Sequence, residues 1–329
     1  MHMCLDLKSS DRLLIITDRA TSSIARALEQ TATATQNVLV LNMEDFGERP
    51  MTSFPDAMKA PIYTFGPTAA IYAAGVQEGE IGFRKPLISY LVEELKVRHA
   101  HAPKITEEMM EGAMRGNAQE LFEFTTRVYE AVKNARAITI TSENGTSLTA
   151  TFDPNLAWIN SHPLIREQGK WGNLPNGEVF TCPDKIDGVV VVDGVLGDYL
   201  SPKFGVLGPG RAVRIAIEDS RIVSIEGKDS EVVDAFKAYI EAGDENSKRV
   251  GEFAIGTNLE ITKLIGNMLS DEKSPGFHMA FGDCYGNETG ASWSSKTHID
   301  VIPLGVTIVV DGRPIMENGV FVPELLRKA

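Results

Sequence analysis

Only three cysteines occur, Cys4, Cys182 and Cys284, far apart and with no CxxC pair. An odd, scattered set excludes a disulfide framework and a thiolate-rich structural zinc site, and it fits free thiols in a reducing, cytoplasmic compartment. Long apolar runs are missing too. Nothing approaches the roughly eighteen consecutive apolar residues of a membrane span, and no basic stretch followed by an apolar core opens the chain, so neither a membrane partner nor an export signal is expected. Positive charge is scarce: 32 Lys and Arg face 45 Asp and Glu, a formal charge of -13. With no basic stripe to neutralise phosphates, nucleic acid is not expected as a partner. The acidity leaves two explanations open, solubility or carboxylates gathered around a divalent cation. No GxGxxG or GxxxxGK follows the first apolar run, so no nucleotide site is read there. Repeats and low-complexity segments are absent, and Met1-His2-Met3 reads as a cloning remnant in which His2 carries no weight.

What is present suffices for two cores: 329 residues with 43% hydrophobic content. Leu13-Leu14-Ile15-Ile16 is a strand run, Thr21 to Glu29 a helical pattern, and Val38-Leu39-Val40-Leu41 a second strand. Leu87 to Val97 and Thr106 to Val132 read as helices, the latter opened by the capping signal Thr106-Glu107-Glu108. Residues 1–136 are therefore read as an α/β layered domain. From Ala137 the pattern changes to short β-branched strands and turns: Ile138 to Thr141, the hairpin signal Asn144-Gly145, and Ser147 to Phe152. Further strands are read at 189–192, 211–217, 222–225, 278–281 and 306–310, with helices at 231–241 and 261–269. Residues 137–329 form a separate α+β domain in this reading.

The chemistry concentrates in that second part. Thr297-His298-Ile299-Asp300 puts an imidazole and a carboxylate at i and i+2, which in a strand leave the same face and can reach one ion. A strand-end histidine paired to an acid is a common alternative. His278 is the one polar ring in the apolar strand Phe277 to Gly282, and it reads either as a satisfied core histidine or as a ligand. Glu178, entering an apolar strand from the turn at Gly177, and Glu252, between Gly251 and Phe253, read as strand-edge surface residues or as carboxylates that need a cation or donors to be buried. Two histidines with several carboxylates suit Zn, Mn, Co or Fe(II).

Taken in order, five segments resemble the thermophilic aminopeptidases of the aminopeptidase T and S family. They are Asn173-Leu174-Pro175 with Gly177 to Thr181, Gly251-Glu252-Phe253-Ala254, Asp271-Glu272, His278-Met279-Ala280-Phe281-Gly282, and His298-Ile299-Asp300. Arg98-His99-Ala100-His101 with Ile105-Thr106 resembles the segment that joins the family's two halves. The resemblance implies a homodimer and two divalent ions held by Glu178, Glu252, Glu272, His278, His298 and Asp300, with Glu252 as bridge and Tyr285 beside the site. The spacing from Glu272 to His278 is one residue longer than the family's, and the stretch between His278 and His298 is shorter. A branch on the same scaffold, the 2,5-dihydroxypyridine dioxygenases, uses one Fe(II) on two histidines and an aspartate, which His278, His298 and Asp300 would supply.

Two enzymatic readings follow. The first is amide hydrolysis of a small peptide, with Zn, Co or Mn activating water and either a ligand or a base role for Glu178. The second is Fe(II)-dependent ring opening of a small aromatic substrate, which needs three protein ligands. A metal-free or metal-storing binding protein without catalysis is the third. The glutamate-bearing segments favour hydrolysis, because a mononuclear site does not require them.

Overall fold

The first apolar run forms a strand because its aliphatic side chains are buried on both faces, as an interior strand of a parallel sheet requires, while the second, at the sheet edge, is only partly buried. In the computed structural model, which describes residues 2–35 and 37–327, Arg12–Thr17 is a central strand of a five-stranded parallel sheet. The strand order is Asn37–Asn42, Arg12–Thr17, Ala69–Ala74, Arg98–Pro103 and Trp171–Asn173. Alternate residues feed two cores: Leu14, Ile16, Ala70 and Tyr72 pack in one, Leu13, Ile15, Ala69 and Ile71 in the other. This α/β layered unit comprises residues 1–122 and 162–176. Met1, Gln36, Lys328, Ala329 and the His2 side chain lie outside the described residues.

The second unit comprises residues 123–161 and 177–329. It holds an eight-stranded sheet and a five-stranded sheet whose strand pairs are antiparallel. The smaller sheet runs His298–Val301, Gly276–Gly282, Val250–Gly256, Glu178–Thr181 and Ile159–Ser161. Both sheets contribute to one core, Ile138, Ile140, Val190 and Ile308 from the larger and Phe253, Phe277, Phe281 and Ile299 from the smaller. The hairpin signal at Asn144-Gly145 joins Ala137–Ser142 to Ser147–Thr151, with Gly145 at φ 99°. The division thus differs from a single cut at 136/137: it falls inside the helix Ala118–Val132, and residues 162–176 return to the first unit.

Three elements differ from the sequence reading. Residues 106–132 form two helices, Glu107–Glu111 and Ala118–Val132, broken around Gly112 and Gly116; the Thr106 hydroxyl does cap the first by accepting from Met109 N. Arg98 to His101 is not a connector but a buried strand of the parallel sheet. The helix expected over 261–269 is confined to Met268–Asp271. Its cause is Asp271, whose carboxylate accepts the backbone N–H groups of Ile265, Gly266 and Asn267, and this competes with helical pairing.

Candidate metal centre

The smaller sheet sorts its residues by parity. Cross-strand partners share a face, and the register aligns Gly256 with Glu178, Ala254 with His278, Glu252 with Ala280, Ala280 with Asp300 and Gly282 with His298. All five expected strand ligands, Glu178, Glu252, His278, His298 and Asp300, therefore leave one face. Their odd-numbered neighbours Val179, Phe253, Phe277, Phe281, Ile299 and Val301 leave the other and build the core.

One irregularity makes this sorting possible. Val250 also belongs to the core, although it lies two residues before Glu252 and a regular strand would send both to the same side. A bulge at Gly251 separates them, so Val250 pairs with Phe281 and Glu252 with Ala280. Glycine is required there: a Cβ would stand 2.2 Å from Gly282 O and 2.4 Å from Asp283 O. Gly256 has a similar task at the other end of the strand, where a Cβ would stand 2.0 Å from Ser274 O and 2.8 Å from Glu272 O. Its bareness lets the turn bearing Glu272 and Lys273 lie against the sheet.

The ligand atoms gather in two groups. One oxygen or nitrogen from each of Glu178, Glu252 and His278 lies within 4.8 Å of the others, and the same holds for Glu252, His298 and Asp300. Glu252 is common to both. His298 Nε2 stands 3.1 Å from Glu252 Oε2 and 3.4 Å from Asp300 Oδ1, and His278 Nε2 stands 3.5 Å from Glu178 Oε2. His298 Nδ1 donates to the Asp283 carbonyl at 3.1 Å, which leaves Nε2 as the atom turned toward the carboxylates. Glu178 Oε2 and Asp300 Oδ1 are buried with no hydrogen-bond donor. Orphaned carboxylate oxygens beside imidazole nitrogens are the donor set a divalent first-row ion takes, so these residues fit such an ion.

Tyr285 and Glu272 stand at the margins. The Tyr285 hydroxyl is 3.4 Å from His298 Nε2, its ring is 5.5 Å from that of Phe180, and its backbone is left-handed at φ 49°. Glu272 is in neither ligand group; its Oε1 accepts from Lys273 Nζ at 2.7 Å. Lys273, which the sequence reading passed over, also donates to Glu178 Oε1 at 2.5 Å and is only 3% exposed. Its signal was a lysine directly after the matched acid, in a charged triplet that reads as a solvated turn.

The electrostatics follow from this crowding. Burial opposes charge on His298, yet Asp300 and Glu252 outweigh it and hold the imidazole well above its ordinary range. Asp300, pushed up by burial, is pulled below the usual carboxylate range by His298. Burial drives Glu272 well upward, and it pushes the Tyr285 phenol up as well, helped there by the Glu252 and Asp300 carboxylates. On Lys273 burial is outweighed by Glu178 and Glu272, which hold the ammonium above its ordinary range. An ion bound at His298 Nε2 would take the place of a proton on that nitrogen.

The family described as thermophilic metalloprotease (M29) matches residues 119–302. Among solved structures, wild-type AmpT from Thermus thermophilus superposes with a TM-score of 0.70 at 17% identity, covering 98% of this chain and 96% of that one. The 2,5-dihydroxypyridine dioxygenase from Pseudomonas putida KT2440 superposes with a TM-score of 0.67 at 15% identity, covering 98% and 95%. No curated protein matches. At such identities the two structures establish a shared fold. The family match spans more than half of the chain and takes in every residue of both groups, and the chain belongs to the M29 family of thermophilic metalloproteases.

Proposed function

We propose that the chain is an aminopeptidase-type hydrolase that cleaves the N-terminal amide of small peptides with Zn, Co or Mn. The observation that carries this reading is the presence of Glu252 in both ligand groups, the arrangement a bridging carboxylate needs. When bound, a divalent ion would polarise the scissile carbonyl and acidify a water. The chain's own groups divide the remaining work. Tyr285, its hydroxyl 3.4 Å from His298 Nε2, keeps its proton at neutral pH and donates to the oxygen on which negative charge develops. Glu178 offers Oε2, since Oε1 is held by Lys273, and this oxygen serves as a ligand or receives the proton of the attacking water. The surplus of carboxylates attracts the ammonium of a peptide N-terminus. A cytoplasmic homodimer completes the proposal, in line with the three free cysteines and the family resemblance.

The test is reconstitution of metal-free protein with Zn, Co, Mn and Fe(II) separately. Each form is offered a leucyl amide and, in parallel, a dihydroxypyridine under air. Amine release with Zn, Co or Mn, indifferent to oxygen, is the expected result. Oxygen uptake with Fe(II) alone would assign the chain to ring-opening chemistry on His278, His298 and Asp300 instead. Against that outcome stands the grouping itself, since His278 keeps company with Glu178 and Glu252, and His298 and Asp300 form the other set.

A further inference from the structure

The two ligand groups share Glu252 but differ in what backs them. Behind His298 and Asp300 stand neutral groups, the Asp283 carbonyl and the Tyr285 hydroxyl. Among the described residues no Lys or Arg ion pair reaches Glu252 or Asp300. Behind Glu178 stands a cation built into the fold. Lys273 Nζ lies 2.5 Å from Glu178 Oε1 and 2.7 Å from Glu272 Oε1, and the side chain is 4% exposed. Its turn is fixed from two directions: Asn258 N donates to the Lys273 carbonyl at 2.9 Å, and the bare backbone of Gly256 admits the chain at close range. The ammonium is therefore a permanent occupant, and burying it without both acids would be costly.

We infer that Lys273 makes the two groups unequal, so that Glu252, His298 and Asp300 hold one divalent ion tightly while Glu178, Glu252 and His278 hold a second one weakly. An ion on Glu178 Oε2 must share that carboxylate with the ammonium on Oε1. Two cations on one carboxylate repel across a few ångströms of poorly screened interior, and each draws density from the oxygen the other uses. Lys273 acts on Asp300 of the other group only through space, and among the described residues its direct contacts are with Glu178 and Glu272. The chain then binds one ion per subunit when metal is scarce and two when it is plentiful, with Lys273 as a positioning residue that sets the gap. This inference rests on the proposed metal-dependent reading for the location of the ligands, and for nothing else.

The experiment is a calorimetric titration of metal-free protein with Mn, repeated with Co and followed by visible absorption, with bound metal counted by elemental analysis. The unaltered chain should show two dissociation constants about 100-fold apart, the scale on which groups behind the ligands tune metal affinity. Lys273→Met should tighten the weak constant about tenfold or more and leave the tight one in place. Glu178→Gln should remove the weak ion alone. Two equal constants in the unaltered chain overturn the inference, as does a weak constant unmoved in Lys273→Met or a tight ion lost in Glu178→Gln. Should Lys273→Met fail to fold by circular dichroism, the double variant Glu272→Gln, Lys273→Met, which removes the ammonium together with one of its two acid partners, takes its place under the same criteria. Unequal constants without amine release remove the hydrolase reading and leave this inference standing; equal constants with amine release do the reverse.

Discussion

Glu252 and His298 meet across an intervening strand: their side chains close to 3.1 Å above Gly276–Gly282, whose Ala280 lies between Glu252 and Asp300 in the register. A small residue is what keeps that span open. Ala280→Leu should thus cost about 1–3 kcal/mol through overpacking and, by wedging the carboxylates apart, reduce bound metal per chain far more than Ala280→Gly does. Elemental analysis beside a thermal melt separates the two effects. Full metal occupancy in Ala280→Leu would show that the face has more room than the register implies.

His298→Ala and Glu252→Gln should both abolish amine release while retaining the native circular dichroism spectrum. The core residues leave the opposite face of the same strands, so the fold does not depend on the ligands. Loss of the cooperative transition in His298→Ala would instead make that residue part of the fold's support.

Tyr285→Phe removes a donor and leaves the ligands untouched. If the hydroxyl meets the developing oxyanion, kcat should fall about 10²- to 10³-fold with metal content and KM little changed. A fall in metal content of equal size would assign the hydroxyl to holding His298, from which it stands 3.4 Å.

In the first unit, Arg49 is buried between two acids: it donates to Glu80 Oε2 at 2.6 Å and to Asp18, with side-chain exposures of 7%, 0% and 1%. Burial pushes both carboxyls up, but hydrogen bonds and Arg49 carry them below their ordinary values. Groups so depressed contribute stability above their unfolded values of about 3.9 and 4.3, and that stability is lost as pH falls through the folded values. Arg49→Met, which leaves two acids unpaired, should destabilise by about 3–5 kcal/mol at pH 7. The deficit should shrink as the pH approaches 4 and below, where the unaltered chain loses its own advantage. Chemical denaturation at several pH values checks the sign; a deficit that grows on acidification contradicts it.

The strand ligands were legible because polar residues in apolar strands stand out: Glu178, Glu252, His278, His298 and Asp300 each break a hydrophobic run. Their convergence was legible from the order of the family's segments, not from local pattern. Lys273 was hidden because a lysine among acids has the same appearance whether it is solvated or buried, and only the register of Gly256 decides between them. Strands such as Ala69–Ala74 went unread because alanine carries little strand preference and is placed there by its partners on either side. The false helix over 261–269 arose from apolar spacing alone, when the decisive feature was a carboxylate further along the chain at Asp271.

The bulge at Gly251 has a consequence for how this chain can change over generations. It absorbs one extra residue, so that Val250 and Glu252, two positions apart in the chain, still take opposite sides of the sheet. Pairing Gly251 regularly in the ladder would send Val250 and Glu252 to the same side, where core and candidate metal face compete, whereas deleting it makes the two residues neighbours and leaves them on opposite sides. Insertions and deletions in the surrounding loops leave the parity untouched, whereas a residue gained or lost within the regularly paired stretch from Glu252 to Gly256 moves part of the strand to the wrong side. Length variation in descendants of this sequence should therefore collect between the site strands or at the bulge itself and stop short of residues 252–256.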